Sequence, residues 1–316
     1  MTKTNQQKVK DFLINNGVII VMFILVIYTG FTSDNFFTKN NFMNILMNMS
    51  SRLVIALGIA GCVITAGCDL SAGRMIGFGA CISGMLLQRM DYSGKFFPDM
   101  QPLNVFVVAL IAMLVCAAFG TVTGFFIAYL NVPPFIATLA MMEIVYGIGL
   151  IVTNATPLGG YVEQYTNVSN GKFLGINYLI WIAIIVAVIT WFIFNMTRHG
   201  KYMYAIGGNP QAAEVAGVPV KATLILIYMK AAAMYGLAGF MLGAKAGGAS
   251  VQTGYGYEME AIAACTIGGV SVTGGRGKVS SAIIGVAVFE LLKVALQYLG
   301  MNANAQYIAI GVVIFI

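Results

Sequence analysis

Charge is scarce in this chain: 9% of its 316 residues are Asp, Glu, Lys or Arg, against 59% hydrophobic. A soluble domain carries about 25% charged residues, so the composition excludes a water-soluble fold and implies a protein held in lipid. Histidine is scarcer still, with His199 alone. The five cysteines, Cys62, Cys68, Cys81, Cys116 and Cys265, lie inside apolar segments and form no Cys-x-x-Cys pair. One histidine cannot complete a metal cage, so no metal or other cofactor is expected, and the thiols read as small packing residues. Gly-x-Ser-x-Gly, His-Glu-x-x-His and a second histidine for a triad are missing too. The nearest approach to a phosphate loop, Gly274-Gly275-Arg276-Gly277-Lys278-Val279, has Val279 where magnesium needs Ser or Thr. It also has Val272 where the first glycine belongs. The chain is therefore not expected to be an enzyme, and any energy it uses comes from a partner.

What the chain has in quantity is apolar run and glycine, 37 of the latter, the residue that lets membrane helices approach closely. Apolar segments run over Val18–Phe31 (extended back to Phe12–Ile14), Leu53–Ala66, Met75–Leu87, Asn104–Leu130, Phe135–Thr153, Tyr178–Met196, Ala222–Ala244 and Lys278–Gly300. Ala261–Val272 is too short to cross alone, and Asn302–Ile316 begins a last span. Together they predict an all-α polytopic membrane protein, one domain over residues 1–316, with about ten transmembrane helices, some of them broken. Lys3, Lys8 and Lys10 precede the first run and no small-residue cleavage site follows it. That reads as an uncleaved first span with a cytoplasmic N-terminus. Ser33–Ser50 reads as an outer interfacial segment, and Arg89–Leu103 and Thr156–Asn177 as outer loops. The net charge of +6 is better explained by cytoplasmic loops than by nucleic acid, which is not an expected partner.

Two glycine-rich breaks stand out. Thr65-Ala-Gly-Cys-Asp-Leu-Ser-Ala-Gly-Arg74 can be laid on Ile267-Gly-Gly-Val-Ser-Val-Thr-Gly-Gly-Arg276, matching Gly67 to Gly269, Ser71 to Thr273, Gly73 to Gly275 and Arg74 to Arg276. An internal repeat would place both turns on one side of the membrane. Asp69 admits two readings, a group on a transport path or a structural cap for the helix starting near Leu70. Glu143 is a lone carboxylate inside a span, functional or paired with a lysine such as Lys230. Glu290 and Lys293, three apart on one helix face, can pair with each other. Asp69, Glu143 and Glu290 would serve an ion-coupled secondary carrier, the alternative from another class.

The longest polar interruption that carries cations is Thr197–Lys221, with Arg198, Lys201 and Lys221 at its edges. Gly207-Gly208-Asn209-Pro210 breaks the chain, and Gln211–Ala216 can form a short helix with Asn209 as cap and Pro210 at its first position. Gly217 and Pro219 end it. The plain reading is a solvated connector; a short helix between two spans on the positively flanked side also suits a surface that meets another protein. Here Gly200, Tyr204, Ala205-Ile206-Gly207-Gly208-Asn209, Ala212-Ala213 and Gly217-Val218 resemble the coupling loop of sugar-importer permeases of the ATP-binding-cassette class. Asp69-Leu-Ser-Ala-Gly-Arg74, Asn131-Val-Pro-Pro-Phe-Ile-Ala-Thr-Leu139 and Glu258-Met-Glu-Ala-Ile-Ala-Ala-Cys265 extend the likeness over essentially the whole chain.

Within that family the likeness is nearest to permeases for galactose and methyl-galactosides, with ribose, xylose and nucleoside importers as alternatives. The resemblance implies a bacterial cytoplasmic (inner) membrane and a second permease copy forming a homodimer. It also implies a periplasmic or lipid-anchored sugar-binding protein and an ATPase subunit with two nucleotide sites. Residues 198–221 would be the cytoplasmic coupling loop, with Gly207, Gly208, Asn209, Pro210, Ala212, Ala213, Glu214 and Gly217 set against the ATPase. Asp69, Ser71, Glu143, Ser271 and Thr273 are the candidates for the translocation pathway. Family members continue through a full last helix to a basic tail, so the chain is expected to be cut within that helix.

Overall fold

Apolar runs of roughly 20 residues become helices because only internal hydrogen bonding satisfies the backbone in lipid. The computed structural model describes residues 17–33 and 35–315, so the readings placed on Lys3, Lys8, Lys10 and Phe12–Ile14 lie outside the described residues. Among the described residues, six helices are long and apolar enough to cross a membrane. In chain order, with the shorter helices, they are α1 (Gly17–Thr32), α2 (Lys39–Ile64), α3 (Ala72–Leu86), α4 (Val105–Tyr129), α5 (Pro134–Thr153) and α6 (Glu163–Asn170). There follow α7 (Tyr178–Met196), α8 (Arg198–Gly208), α9 (Pro210–Val215), α10 (Val220–Ala246), α11 (Tyr257–Ile267), α12 (Val279–Tyr298) and α13 (Ala303–Phe315). The six are α2, α4, α5, α7, α10 and α12. The count of about ten is thus not established by helix length. A two-stranded ribbon, β1 (Lys172–Phe173) and β2 (Ile176–Asn177), precedes α7.

Much of Ser33–Ser50, expected as an outer interfacial segment, is helical. Its Asn-rich half is the first part of α2, where Thr38 caps the helix by accepting from Asn41 N at 3.3 Å. Asn41 Nδ2 donates back to the Phe36 carbonyl at 2.7 Å, so a helix-breaking residue works as a staple for the preceding turn.

Helix α10 is the axis of the bundle, packed by α2, α3 and α4. The contacts run through small residues. A Cβ on Gly79 of α3 would lie 2.9 Å from the Gly236 Cα of α10, so those two backbones touch with nothing between them. Gly120 and Gly124 of α4 meet the backbone of α10 at Tyr228 and Ile225 in the same way.

Two non-helical segments lie within the bundle. Helix α2 ends at Ile64, residues 65–71 follow without helix, and α3 then begins. Asp69 meets Tyr235, about 22 Å along α10 from its start and about 16 Å from its end, so α3 starts near mid-bundle. Likewise α10 ends at Ala246, residues 247–256 are non-helical, and α11 begins against Gly73, whose Cβ would strike the Glu258 carboxylate. From that meeting point the two helices run to opposite ends. Leu87, just past α3, bonds Val162 N at 2.9 Å, whereas the loop after α11 bonds the end of α2 through Gly275 N to Ile64 O at 2.8 Å. Irregular backbone at this depth is tolerated only where protein or a water-filled cavity surrounds it. The second stretch of the expected repeat therefore lies beside the beginning of the first at one end, while Asp69 and Arg74 of the first reach mid-bundle.

Candidate functional site

The cationic stretch is more helical than its glycines imply. Residues 198–208 form α8, capped by Thr197 Oγ1, which accepts from Gly200 N at 3.3 Å. Asn209 then caps α9, its Oδ1 accepting from Ala212 N at 2.9 Å, with Pro210 at the first position. Gly217, at φ 82, ends the turn as the sequence predicts. Of the eight residues expected to meet a partner, Gly208, Asn209, Pro210, Ala212, Glu214 and Gly217 are exposed, while Gly207 and Ala213 are buried. Ala213 is 5% exposed and points inward, whereas Val215 is 91% exposed, an apolar side chain offered to nothing in this chain. Gly207 packs against the Ile64 carbonyl and Gly275 N, and Tyr204 donates to the Gly277 carbonyl at 2.8 Å. The α8–α9 element is thereby seated on the ends of both broken segments.

Charge distinguishes the two ends of the bundle. The α9 end gathers Arg198, Lys201, Lys221, Arg276 and Lys278 around Glu214, and the opposite end alternates Arg89, Lys95 and Lys172 with Asp91, Asp99 and Glu163. His199, half-buried in α8, has its pKa pushed down to about 4 by burial, with the nearby Lys230 ammonium adding to the effect.

The five pathway candidates are not brought together. Asp69 is 2% exposed, and its Oδ1 accepts from Ser71 N at 3.0 Å and Ser71 Oγ at 2.6 Å. Its Oδ2 accepts from Tyr235 OH at 3.1 Å. Asp69 and Ser71 lock the turn before α3, which bears on the capping reading: Asp69 holds the turn, not the helix N-terminus itself. Ser271 and Thr273 bond each other at 2.8 Å in the loop after α11, at the α9 end. Glu143 is exposed on α5 and forms no ion pair among the described residues, Lys230 included.

Glu290 and Lys293 do not pair with each other. Arg52 of α2 reaches Glu290 at 2.9 Å and Glu260 at 3.4 Å, and Lys293 bonds Glu260. Arg52 also lies 5.1 Å from the Tyr257 ring. Spacing showed that two residues of α12 share a face; it could not show that α11 places a carboxylate between them and α2. Sequence reasoning also missed the group around Arg74. Its guanidinium stands 3.9 Å from the Tyr146 ring and 4.4 Å from the Tyr255 ring, and donates to Gln252 Oε1 at 2.8 Å. Gln252 Nε2 donates in turn to Tyr146 OH at 3.1 Å. An arginine beside the Gly-rich break was the available signal, but its partners come from two distant segments.

Buried ion pairs, long apolar helices and two short helices that begin near mid-bundle suit a protein that spans a membrane, and the comparisons agree. The family model described as branched-chain amino acid transport system / permease component matches residues 41–316. The galactose/methyl galactoside import permease protein of Escherichia coli (strain K12) is 39% identical, over 99% of this chain and 96% of that protein. Its counterpart in Haemophilus influenzae is 40% identical, over 100% and 96%. The ribose import permease protein of Escherichia coli (strain K12) is 32% identical, over 97% and 93%. No solved structure gives a significant match. A match across nearly all of the chain, on a polytopic helical fold, makes this a multi-pass membrane protein that belongs to the permease-component family.

Proposed function

We propose that this chain is the transmembrane permease subunit of an ATP-driven importer for galactose and methyl-galactosides. The sugar is assigned from the relatives: galactose permeases are 39–40% identical to this chain and a ribose permease 32%. The observation that carries the mechanism is the α8–α9 element, a capped two-helix projection on the cationic end, seated on both broken segments, with Val215 91% exposed. Cations concentrate on cytoplasmic loops, which supports an inside location for that end and, since the turn after α1 sets Phe36 beside Tyr298 at the other end, for the N-terminus as well. Residues 198–221 are then the coupling loop of a single permease domain. Exposed Ala212, Glu214 and Val215 meet a separate ATPase subunit with two nucleotide sites. Because α8 is packed on Ile64, Gly275 and Gly277, a push on α9 moves the ends of both broken segments together. With α1, the two half-helix segments and α13 added to the six long helices, the chain makes about ten crossings. A binding protein on the outer side delivers the sugar, and two permease copies share the path.

The ion-coupled alternative needs a carboxylate free to take a proton. Asp69 is hydrogen-bonded at both oxygens, and Glu290 and Glu260 are salt-bridged, so such a carrier would have to use the exposed Glu143. Reconstitution tests the reading: vesicles holding the permease, its ATPase and the sugar-binding protein should accumulate radiolabelled galactose only with internal or external ATP on the ATPase side. Uptake driven by a proton or sodium gradient without ATP would sink it.

A further inference from the structure

The start of α3 and the start of α11 meet at mid-bundle, and the side chains around that junction have no role in coupling. The first turns of two helices point their unpaired N–H groups toward one spot. Glu258 sits there, 4% exposed, and its Oε2 has no hydrogen-bond partner; Arg74 Nε has none either. Next to them Arg74, Tyr146, Gln252 and Tyr255 form the stacked, hydrogen-bonded group described above. The group is open on one side, where Gln252 is exposed and Tyr255 is 60% exposed. Glu143, also exposed, lies one turn from Tyr146 on α5.

A charged side chain against lipid costs about 2.5–3.5 kcal/mol, so a face carrying Arg74 and Glu143 at the depth of the bundle centre is wet and does not meet acyl chains. Its chemistry is specific. Two aromatic faces, a planar cation, a primary amide and a carboxylate oxygen without a partner converge within one small volume. Charge of both signs disfavours a simple ion path. A sugar fits: its C–H faces lie on tyrosine rings, and its hydroxyls both donate and accept.

We propose that Arg74, Tyr146, Gln252 and Tyr255 form the sugar-contacting station of the transport path, with the unpartnered Glu258 carboxylate oxygen beside them at the two helix starts. The proposal rests on the sugar-import reading above and names the residues of its path. Sugar hydroxyls replace the Arg74–Gln252 and Gln252–Tyr146 hydrogen bonds as the substrate passes, and nothing covalent changes.

The test uses the whole complex in vesicles and reads galactose taken up per ATP hydrolysed. Gln252→Ala should lower that ratio about fivefold, the factor that one lost hydrogen bond carries, and Tyr255→Ala should lower it through loss of the ring face. Tyr255→Phe, which keeps the ring, should restore it. A second measurement does not depend on turnover: Gln252→Cys should react with a water-soluble maleimide, and millimolar galactose should slow the reaction when ATP holds the path open. Ratios equal to the native one, with labelling indifferent to galactose, would leave the reading of a sugar importer intact and overturn this station. Failure of the native complex to take up sugar with ATP would overturn the importer reading, and the station with it. Where an alanine variant does not assemble, seen as loss of ATP hydrolysis, the labelling result decides.

Discussion

Arg52 sits in the most buried of the long helices, so its partners decide whether that helix is stable. Arg52 holds Glu290 and Glu260 from one side while Lys293 holds Glu260 from the other. Replacing one member of a buried ion pair leaves a charge uncompensated and costs about 3–5 kcal/mol. Arg52→Met should therefore lower the thermal midpoint of the detergent-purified protein sharply, and Glu290→Gln less, because an amide still accepts from the guanidinium. Equal midpoints for native and Arg52→Met protein would show that the network is not structural. His199 makes a pH prediction. Its folded pKa of about 4 lies below the ordinary value near 6.5, so the folded protein keeps it neutral while the unfolded chain binds a proton. Stability is held above pH 6.5 and declines as pH falls from there toward 4. Denaturation followed across that range should show the decline in the native chain and a shallower one in His199→Gln; identical slopes would remove His199 as the cause.

At the scale of the element, α9 was legible from a few residues: Asn209, Pro210 and Gly217 specify a cap, a start and a stop, and each does that local job. The spans of α5 and α7 were legible because nothing but apolar length defines them. Helix α8 was not, since Gly200, Gly207 and Gly208 argue against helix until packing against Ile64 and Gly275 is known. Nor was the first half of α2, where asparagines argue for a loop and tertiary contact overrides them. Candidate residues on the path were the least legible, because Arg74, Tyr146 and Gln252 meet only through the fold. The same local detail separates two substitutions that sequence treats alike. Ala213 faces inward, so Ala213→Arg should unseat α9 and lower the melting midpoint as well as transport. Val215→Asp changes only the exposed side, and should leave the midpoint within about 0.5 kcal/mol while cutting ATP-driven uptake about tenfold. Uptake unchanged in Val215→Asp would mean that α9 does not meet the ATPase.

At the scale of the whole molecule, one long surface is the face on which the proposed second copy would lie. Helix α5 is packed on α3 and α4 along one side only, and Glu143, near its midpoint, is exposed with no ion pair among the described residues. The open side of the Arg74 group lies along the same helix. A carboxylate in that position needs water or protein beside it, and a second copy of the chain supplies both if the two α5 faces border a shared path. Two consequences follow from that geometry. The solubilised complex should contain two permease chains by mass, and Glu143→Cys should join them when a bifunctional thiol reagent of suitable span is added. The native chain is a fair control, since Cys62, Cys81, Cys116 and Cys265 are buried and Cys68 is only partly exposed. Val215→Cys is the second control, because the proposed coupling role sets that exposed side chain against the ATPase and not against the other copy. Linking through Glu143→Cys but not through Val215→Cys places the α5 faces opposite each other. A complex with one permease chain, or linking at Val215→Cys alone, would mean that the exposed carboxylate is covered by something other than a second copy.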